Sequence, residues 1–247
     1  MLQKLKNIEK VGDIPKIIWS YWDNGIENAG YIVNKSYLSW KKYHPDYEVI
    51  FLNNDNLNKY INIEKYFQNI NFEQFDHFSK VKKADLIRCV LLSEYGGIWI
   101  DSSLILTESL DWLLKSDKVL LDGFPTINTL EPSNLISKNN KKIICFYHEG
   151  FTRNSNFPLI ENWFIAVSKN NKFMSLWKEE FYKYLKIGFD DYYYKEINEK
   201  IDLENFEDND FNPAYLTMHV CAQKIIQENP ELLEEMYYLY SSFAPFK

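Results

Sequence analysis

The sequence predicts a single α/β domain with appended helices, and three observations carry that reading. A β-branched and aromatic run from Ile14 precedes a helical stretch and a second strand run, the order that feeds a parallel sheet. A later helical stretch stops at Gly96-Gly97 and passes straight into a strand ending at Asp101. At 247 residues the chain suits one substantial core better than two, and no Gly-, Ser- or Pro-rich linker or internal repeat divides it.

The elements follow in order. Ile14-Pro15-Lys16-Ile17-Ile18-Trp19-Ser20-Tyr21-Trp22 reads as a buried strand closed by Asp23-Asn24-Gly25. A helix is predicted from about Asn34 to Tyr43, broken by His44-Pro45-Asp46, with a short strand over 47–52 after it. From Ser79 to Tyr95 apolar residues recur at helical spacing, at Val81, Ala84, Ile87 and Leu91, which predicts a mostly buried helix. Ile98-Trp99-Ile100-Asp101 and Leu104-Ile105-Leu106 read as two short strands around Ser102-Ser103. Further on, Trp163 to Val167 reads as a strand, and Met174, Trp177, Phe181 and Tyr184 form the core stripe of a helix. Asn212-Pro213 has the residue types of an N-cap and first turn, for a helix running to about Glu228.

Composition excludes several classes. The net charge of −7 and the lack of a concentrated basic stretch argue against nucleic acid as a partner. Cys89, Cys145 and Cys221 are odd in number and set among apolar residues, so they read as buried thiols of a reducing compartment and not as a zinc site. Charge interrupts the first residues too often for a signal-peptide core, and no apolar run reaches membrane-spanning length, so a cytoplasmic location is expected. The Lys- and aromatic-rich stretch 178–195 offers either a peripheral membrane contact at the inner face of the membrane or a solvated helix face.

Two groups stand out chemically. Asp85 and Arg88 are three apart on an otherwise apolar helix, where burial of an acid and a guanidinium demands that both be engaged. An internal salt bridge and a ligand-binding pair both satisfy that demand. Asp101 ends a strand, and in open α/β sheets the carboxyl ends of strands line the ligand crevice. Strand alternation continued past it would turn Asp101 and Ser103 to one side, where an oxygen pair could meet a divalent cation. Asn162 and His219 read as either a turn residue and a core histidine or as parts of the active-site lining.

The runs Ile14-Pro15-Lys16-Ile17-Ile18-Trp19, Ala84-Asp85-Leu86-Ile87-Arg88 and Tyr95-Gly96-Gly97-Ile98-Trp99-Ile100-Asp101 resemble those of the capsular polysaccharide synthesis glycosyltransferases. That group is related to the DXD-containing sugar transferases of glycosyltransferase family 32 and, more distantly, to the clostridial glucosylating toxins. The resemblance implies a GT-A type, Rossmann-like nucleotide-sugar-binding domain. Its donor-binding part would span about 12–125, and its acceptor side with the C-terminal helices about 126–247. It further implies a UDP-sugar donor, galactose or glucose as the hexose, a glycan or lipid-linked acceptor, and retention of anomeric configuration.

By the same resemblance, Trp19 and Ser20 would lie along the donor, with Trp19 by the uracil. Asp85 and Arg88 would hold sugar hydroxyls and phosphate, and Trp99 would line the donor pocket. Asp101, Arg88 and Asp85 would be the catalytic group, with Asn162 and His219 lining the acceptor side and the tail 240–246 closing over UDP. Asp101 would be the first acid of a motif holding Mn²⁺ or Mg²⁺. A full motif has a second Asp at position 103, where this chain has Ser103. A neutral hydroxyl is the weaker ligand. Two other readings fit that departure: a non-catalytic nucleotide-sugar-binding protein, and a nucleotide-sugar hydrolase.

Overall fold

The computed structural model describes residues 8–11, 13–71, 79–115, 142–206 and 214–241. Strands β1 (Lys10–Val11) and β2 (Ile14–Pro15) form a small antiparallel pair leading into β3 (Ile17–Tyr21). There follow α1 (Tyr31–Tyr43), β4 (Glu48–Leu52), α2 (Ile63–Phe67), α3 (Ser79–Tyr95), β5 (Gly97–Ile100) and α4 (Asp111–Lys115). The later elements are β6 (Ile143–Tyr147), β7 (Ile160–Val167), α5 (Lys172–Ile187), α6 (Phe189–Tyr192), α7 (Thr217–Glu228) and β8 (Met236–Tyr240).

One six-stranded sheet runs in the order β4-β3-β5-β7-β6-β8. β4, β3 and β5 are parallel, β7 is antiparallel to both β5 and β6, and β8 is parallel to β6. Among the described strands of this sheet β7 is therefore the one that is reversed. Its first residues arrive at the edge where the other five strands end.

Strand alternation splits the core into two layers. Ile17, Trp19, Tyr21, Trp99, Cys145 and Ile165 point to the side holding Leu86 to Leu92 of α3, Trp177 of α5 and Val220 of α7. Ile18, Ile98, Ile100, Phe146 and Phe164 point to the other side, with Trp40 of α1 and Leu106 to Leu113. Covered on both faces, the strands carry apolar residues nearly throughout, as a largely parallel sheet requires. On the second side, buried His44 accepts the Leu110 N–H at Nε2 (2.9 Å) and turns Nδ1 to the Trp40 carbonyl (3.3 Å). Burial lowers its pKa.

The Gly96-Gly97 step positions β5. Both residues have positive φ, 68° and 97°, where side chains are strained. A Cβ on Gly96 would lie 2.6 Å from the Lys169 amide, and one on Gly97 would lie 2.9 Å from the Ile17 carbonyl. Only glycine lets β5 slot between β3 and β7 here.

Several expectations need correction. Leu104 to Leu106 form no strand, because Trp40 Nε1 takes the Leu104 carbonyl (2.8 Å) and Ser39 Oγ takes the Leu106 N–H (2.9 Å). Helix side chains thus satisfy groups that a ladder would need. α7 begins at Thr217, with Ala214 to Leu216 as a turn. Asn212-Pro213 and the tail 242–247 lie outside the described residues. The three cysteines are free and buried, as expected.

Candidate functional site

A cleft of about 400 Å³ opens at the edge where β3 and β5 end. Tyr21, Trp22 and Asp23 line it from the end of β3, and Trp99, Asp101, Ser102 and Ser103 from the end of β5. Lys80, Val81, Ala84, Asp85 and Arg88 close it from α3, and Tyr215 from the turn before α7. Its size is within the ~300–1,000 Å³ of small-ligand sites.

At its back, Arg88 holds the two acids together. Its Nη1 is 2.6 Å from Asp85 Oδ1 and its Nη2 is 2.8 Å from Asp101 Oδ1. Trp99 Nε1 donates to the same Asp101 oxygen at 2.7 Å, while the Trp99 ring lies 4.8 Å from the guanidinium carbon. The helical spacing of 85 and 88 and the strand spacing of 99 and 101 bring the four groups together from two adjoining elements. Both bonds to Asp101 fall on Oδ1, and 37% of its side chain remains exposed in the cleft, so Oδ2 is the atom available to a ligand. Enclosure by protein pushes the Asp101 carboxyl above its ordinary pKa, against the Arg88 charge and the Trp99 bond. Arg88 Nε is buried without a hydrogen-bond partner among the described residues.

Support comes from far along the chain. Met218 Sδ lies 3.1 Å from Arg88 Nη1, and Asn162 Nδ2 reaches Asp85 Oδ1 at 3.4 Å. Buried Lys82 donates to the Tyr215 carbonyl (2.7 Å) and faces the Tyr184 ring, which pins Tyr215 over the cleft. Burial lowers the Lys82 pKa. At the mouth, exposed Lys80 pairs with Asp23 at 2.8 Å.

Family resemblance had suggested a wider set. Trp19 does not line this cleft: it is fully buried, gives its indole N–H to the Gly96 carbonyl (2.8 Å) and packs on Tyr60 and Tyr95. Its place is to brace the Gly-Gly step from below. Ser20 points to the opposite core layer, also fully buried. The strand stops at Ile100, so period-two alternation does not extend to Ser103; residues 101–103 enter a turn closed by the Leu104 N–H on the Asp101 carbonyl. Ser102 and Ser103 therefore both reach the cleft. Asn162 lies behind Asp85, within β7. His219 is buried on α7, its Nε2 3.8 Å from Glu161 and its Nδ1 unpartnered among the described residues. Neither Asn162 nor His219 lines the cleft.

Trp22, Asp23, Lys80 and Tyr215 were missed. The strand-end rule that singled out Asp101 applies equally to Trp22 and Asp23. No comparable signal in the sequence ties Tyr215 or Met218 to Arg88.

The family described as "Capsular polysaccharide synthesis protein" matches residues 2–197. The chain belongs to that family. The capsular polysaccharide synthesis match includes the Asp85, Arg88, Asp101 and Asn162 positions and ends before Tyr215, Met218 and His219, which close the same region from α7 and the turn before it. Among solved structures, the chain is similar to the PaToxG glycosyltransferase, at 18% identity and a TM-score of 0.47, over 89% of this chain and 73% of that one. No curated protein matches it.

Proposed function

We propose that the chain is a GT-A type glycosyltransferase that moves a hexose, glucose or galactose, from a UDP-sugar to a glycan or lipid-linked acceptor in capsular polysaccharide synthesis. The observation that carries this reading is the Asp85–Arg88–Asp101 relay, which ends at a half-open carboxylate in a cleft walled by Trp22, Trp99 and Tyr215. Aromatic faces suit a base or sugar ring, and fixed carboxylate oxygens suit sugar hydroxyls. Family membership supplies the biosynthetic context.

Transfer breaks the bond between the anomeric carbon and the diphosphate oxygen, building positive charge on the sugar and negative charge on UDP. Arg88 at the back and Lys80 at the mouth would offset the leaving group's charge, while Asp101 Oδ2 and Asp85 would orient the sugar. Retention is part of the proposal: the acceptor hydroxyl attacks on the face that UDP leaves, and a donor phosphate oxygen takes its proton. That route asks no protein side chain to act as base.

A divalent cation, Mn²⁺ or Mg²⁺, fits the donor set in one way. Asp101 would supply a carboxylate and Ser102 or Ser103 a hydroxyl, with water and the diphosphate completing the shell, a mode common for Mg²⁺. The cation would add charge neutralisation on the diphosphate.

Thermal unfolding with UDP, with and without Mn²⁺, tests the site. At roughly a hundredfold excess over Kd the melting temperature should rise by roughly 5–10 °C. No rise in either condition removes the donor site from the cleft. A UDP-release screen across UDP-sugars then separates the readings. Release that tracks acceptor supports transfer, release as free sugar a hydrolase, and binding with no release a sugar-binding protein, which the Ser103 substitution would favour.

A further inference from the structure

We propose that the outer face of α1 docks on an anionic lipid surface. Val33, Ser36 and Trp40 turn α1 inward onto the sheet. The opposite stripe carries Tyr31, Lys35, Leu38 and Lys42 at helical spacing, flanked by Ile32 and Lys41. Its apolar members are unusually bare: Tyr31 is 73% exposed, Leu38 58% and Ile32 50%. A solvated helix face has little reason to hold three such side chains within eight residues.

Charge decides the occupant. α1 contains Lys35, Lys41 and Lys42 and no acid, in a chain of net charge −7. Among the described residues these lysines meet aromatic rings instead of carboxylates: Lys35 over Tyr31 at 5.2 Å, Lys41 over Tyr37 at 5.4 Å and Lys42 over Tyr43 at 4.7 Å. Their ammonium groups are thus held on the surface with their charge uncompensated by an ion pair. Lysines beside tyrosine, leucine and isoleucine are the side chains that enter a bilayer interface, where ammonium groups meet lipid phosphates and the apolar groups reach the acyl boundary.

The stretch 178–195, which the sequence offers as either a peripheral membrane contact or a solvated helix face, differs on this point. There Lys178 pairs with Glu179 (3.4 Å), Lys183 with Glu196 (2.6 Å) and Lys195 with Asp191 (2.9 Å). Local acids already neutralise it, so it offers lipid phosphates little. Placement also favours α1. It follows β3 after a short loop whose first residues, Trp22 and Asp23, line the cleft, and Asn34 fixes its entry by bonding the Ala29 carbonyl at 2.9 Å. Docking through α1 would hold the cleft mouth beside the membrane. The docking itself does not depend on which reaction the cleft performs.

Sedimentation with phosphatidylglycerol/phosphatidylcholine vesicles, against pure phosphatidylcholine vesicles, tests the assignment. The wild-type chain should sediment with the anionic vesicles and far less with the neutral ones. Changing Lys35→Glu, Lys41→Glu and Lys42→Glu together should weaken the anionic partition by at least about tenfold, given the usual contribution of each surface lysine. A Tyr31→Ser, Leu38→Ser variant should weaken it at unchanged charge. Melting temperature and the UDP-induced shift verify that each variant is folded, and a failed donor assignment would leave the vesicle result standing. The proposal is overturned if the wild type ignores anionic vesicles, if either variant partitions as the wild type does, or if α1 proves instead to join two copies of the chain, seen as a dimer that the Leu38 variant loses.

Discussion

Two buried ion-pair clusters lie on the same side of the sheet, and they are finished differently. Around Lys224, the ammonium meets Glu180 at 2.8 Å and Glu196 and Glu228 at 3.7 Å, and Tyr192 adds its hydroxyl to Glu180 at 2.8 Å. The Lys224–Glu180–Tyr192 centre of that cluster is satisfied from within and ties α5, α6 and α7 together, with Glu228 reaching bulk solvent and not a cavity. Around Arg88, the chain of contacts runs from Asp85 to Asp101 and then opens into a cleft, with Arg88 Nε still unpartnered among the described residues. The contrast teaches that burying a charge pair does not by itself mark a site. What marks one is a network left unfinished on the side facing a cavity.

The largest expected effect is on activity at the open cluster. Asp101→Asn keeps the side-chain shape and removes the charge that Arg88 and the donor share. Turnover should fall by about a hundredfold or more while the melting temperature moves little. Wild-type turnover in this variant would erase the distinction between the clusters.

Next comes the closed cluster, where the effect should fall on stability. Lys224→Met strips Glu180 of its buried counter-charge and should cost about 3 kcal/mol in denaturant unfolding. UDP binding by the folded fraction should not change. If binding weakens as much as stability does, the two clusters are coupled and the division is false.

The smallest effect sharpens the comparison by adding a buried group that must stay neutral. His44 has a pKa lowered by burial, so the folded state binds its proton less readily than the unfolded chain does. Its contribution is complete above the unfolded value near ~6.5 and is lost as pH falls below that, by up to ~1.4 kcal/mol per pH unit. His44→Asn can still accept the Leu110 N–H without titrating. Its stability between about pH 6.5 and 5 should therefore decline less steeply than the wild type's, and an unchanged slope would remove His44 from the acid response.

What the sequence made legible was local. Asp85 and Arg88 share a helix face at a spacing of three, and Asp101 follows Trp99 by two along a strand, so short-range geometry nearly completes the relay. The helix before Gly96-Gly97 was readable for the same reason. Trp19 lies in the core and not along the cleft: an indole in a strand can face a ligand or a core, and only the distant Gly96 carbonyl, Tyr60 and Tyr95 decide which. Leu104 to Leu106 have strand composition, yet partners on α1 claim their backbone groups. Tyr215 and Met218 stay hidden because nothing near them in sequence records that α7 packs on β7 and α5 with Met218 within reach of Arg88.

The Met218 contact also has a consequence for how the chain is made. Met218 follows Arg88 by 130 residues. At ~5–20 residues per second, a ribosome needs roughly 7–26 seconds to deliver it. Until then nothing from α7 can cover Arg88, so any assembly of β3, β4 and β5 that precedes it would leave the Asp85–Arg88 pair in water. The wall behind the future cleft therefore stays wet until α7 arrives.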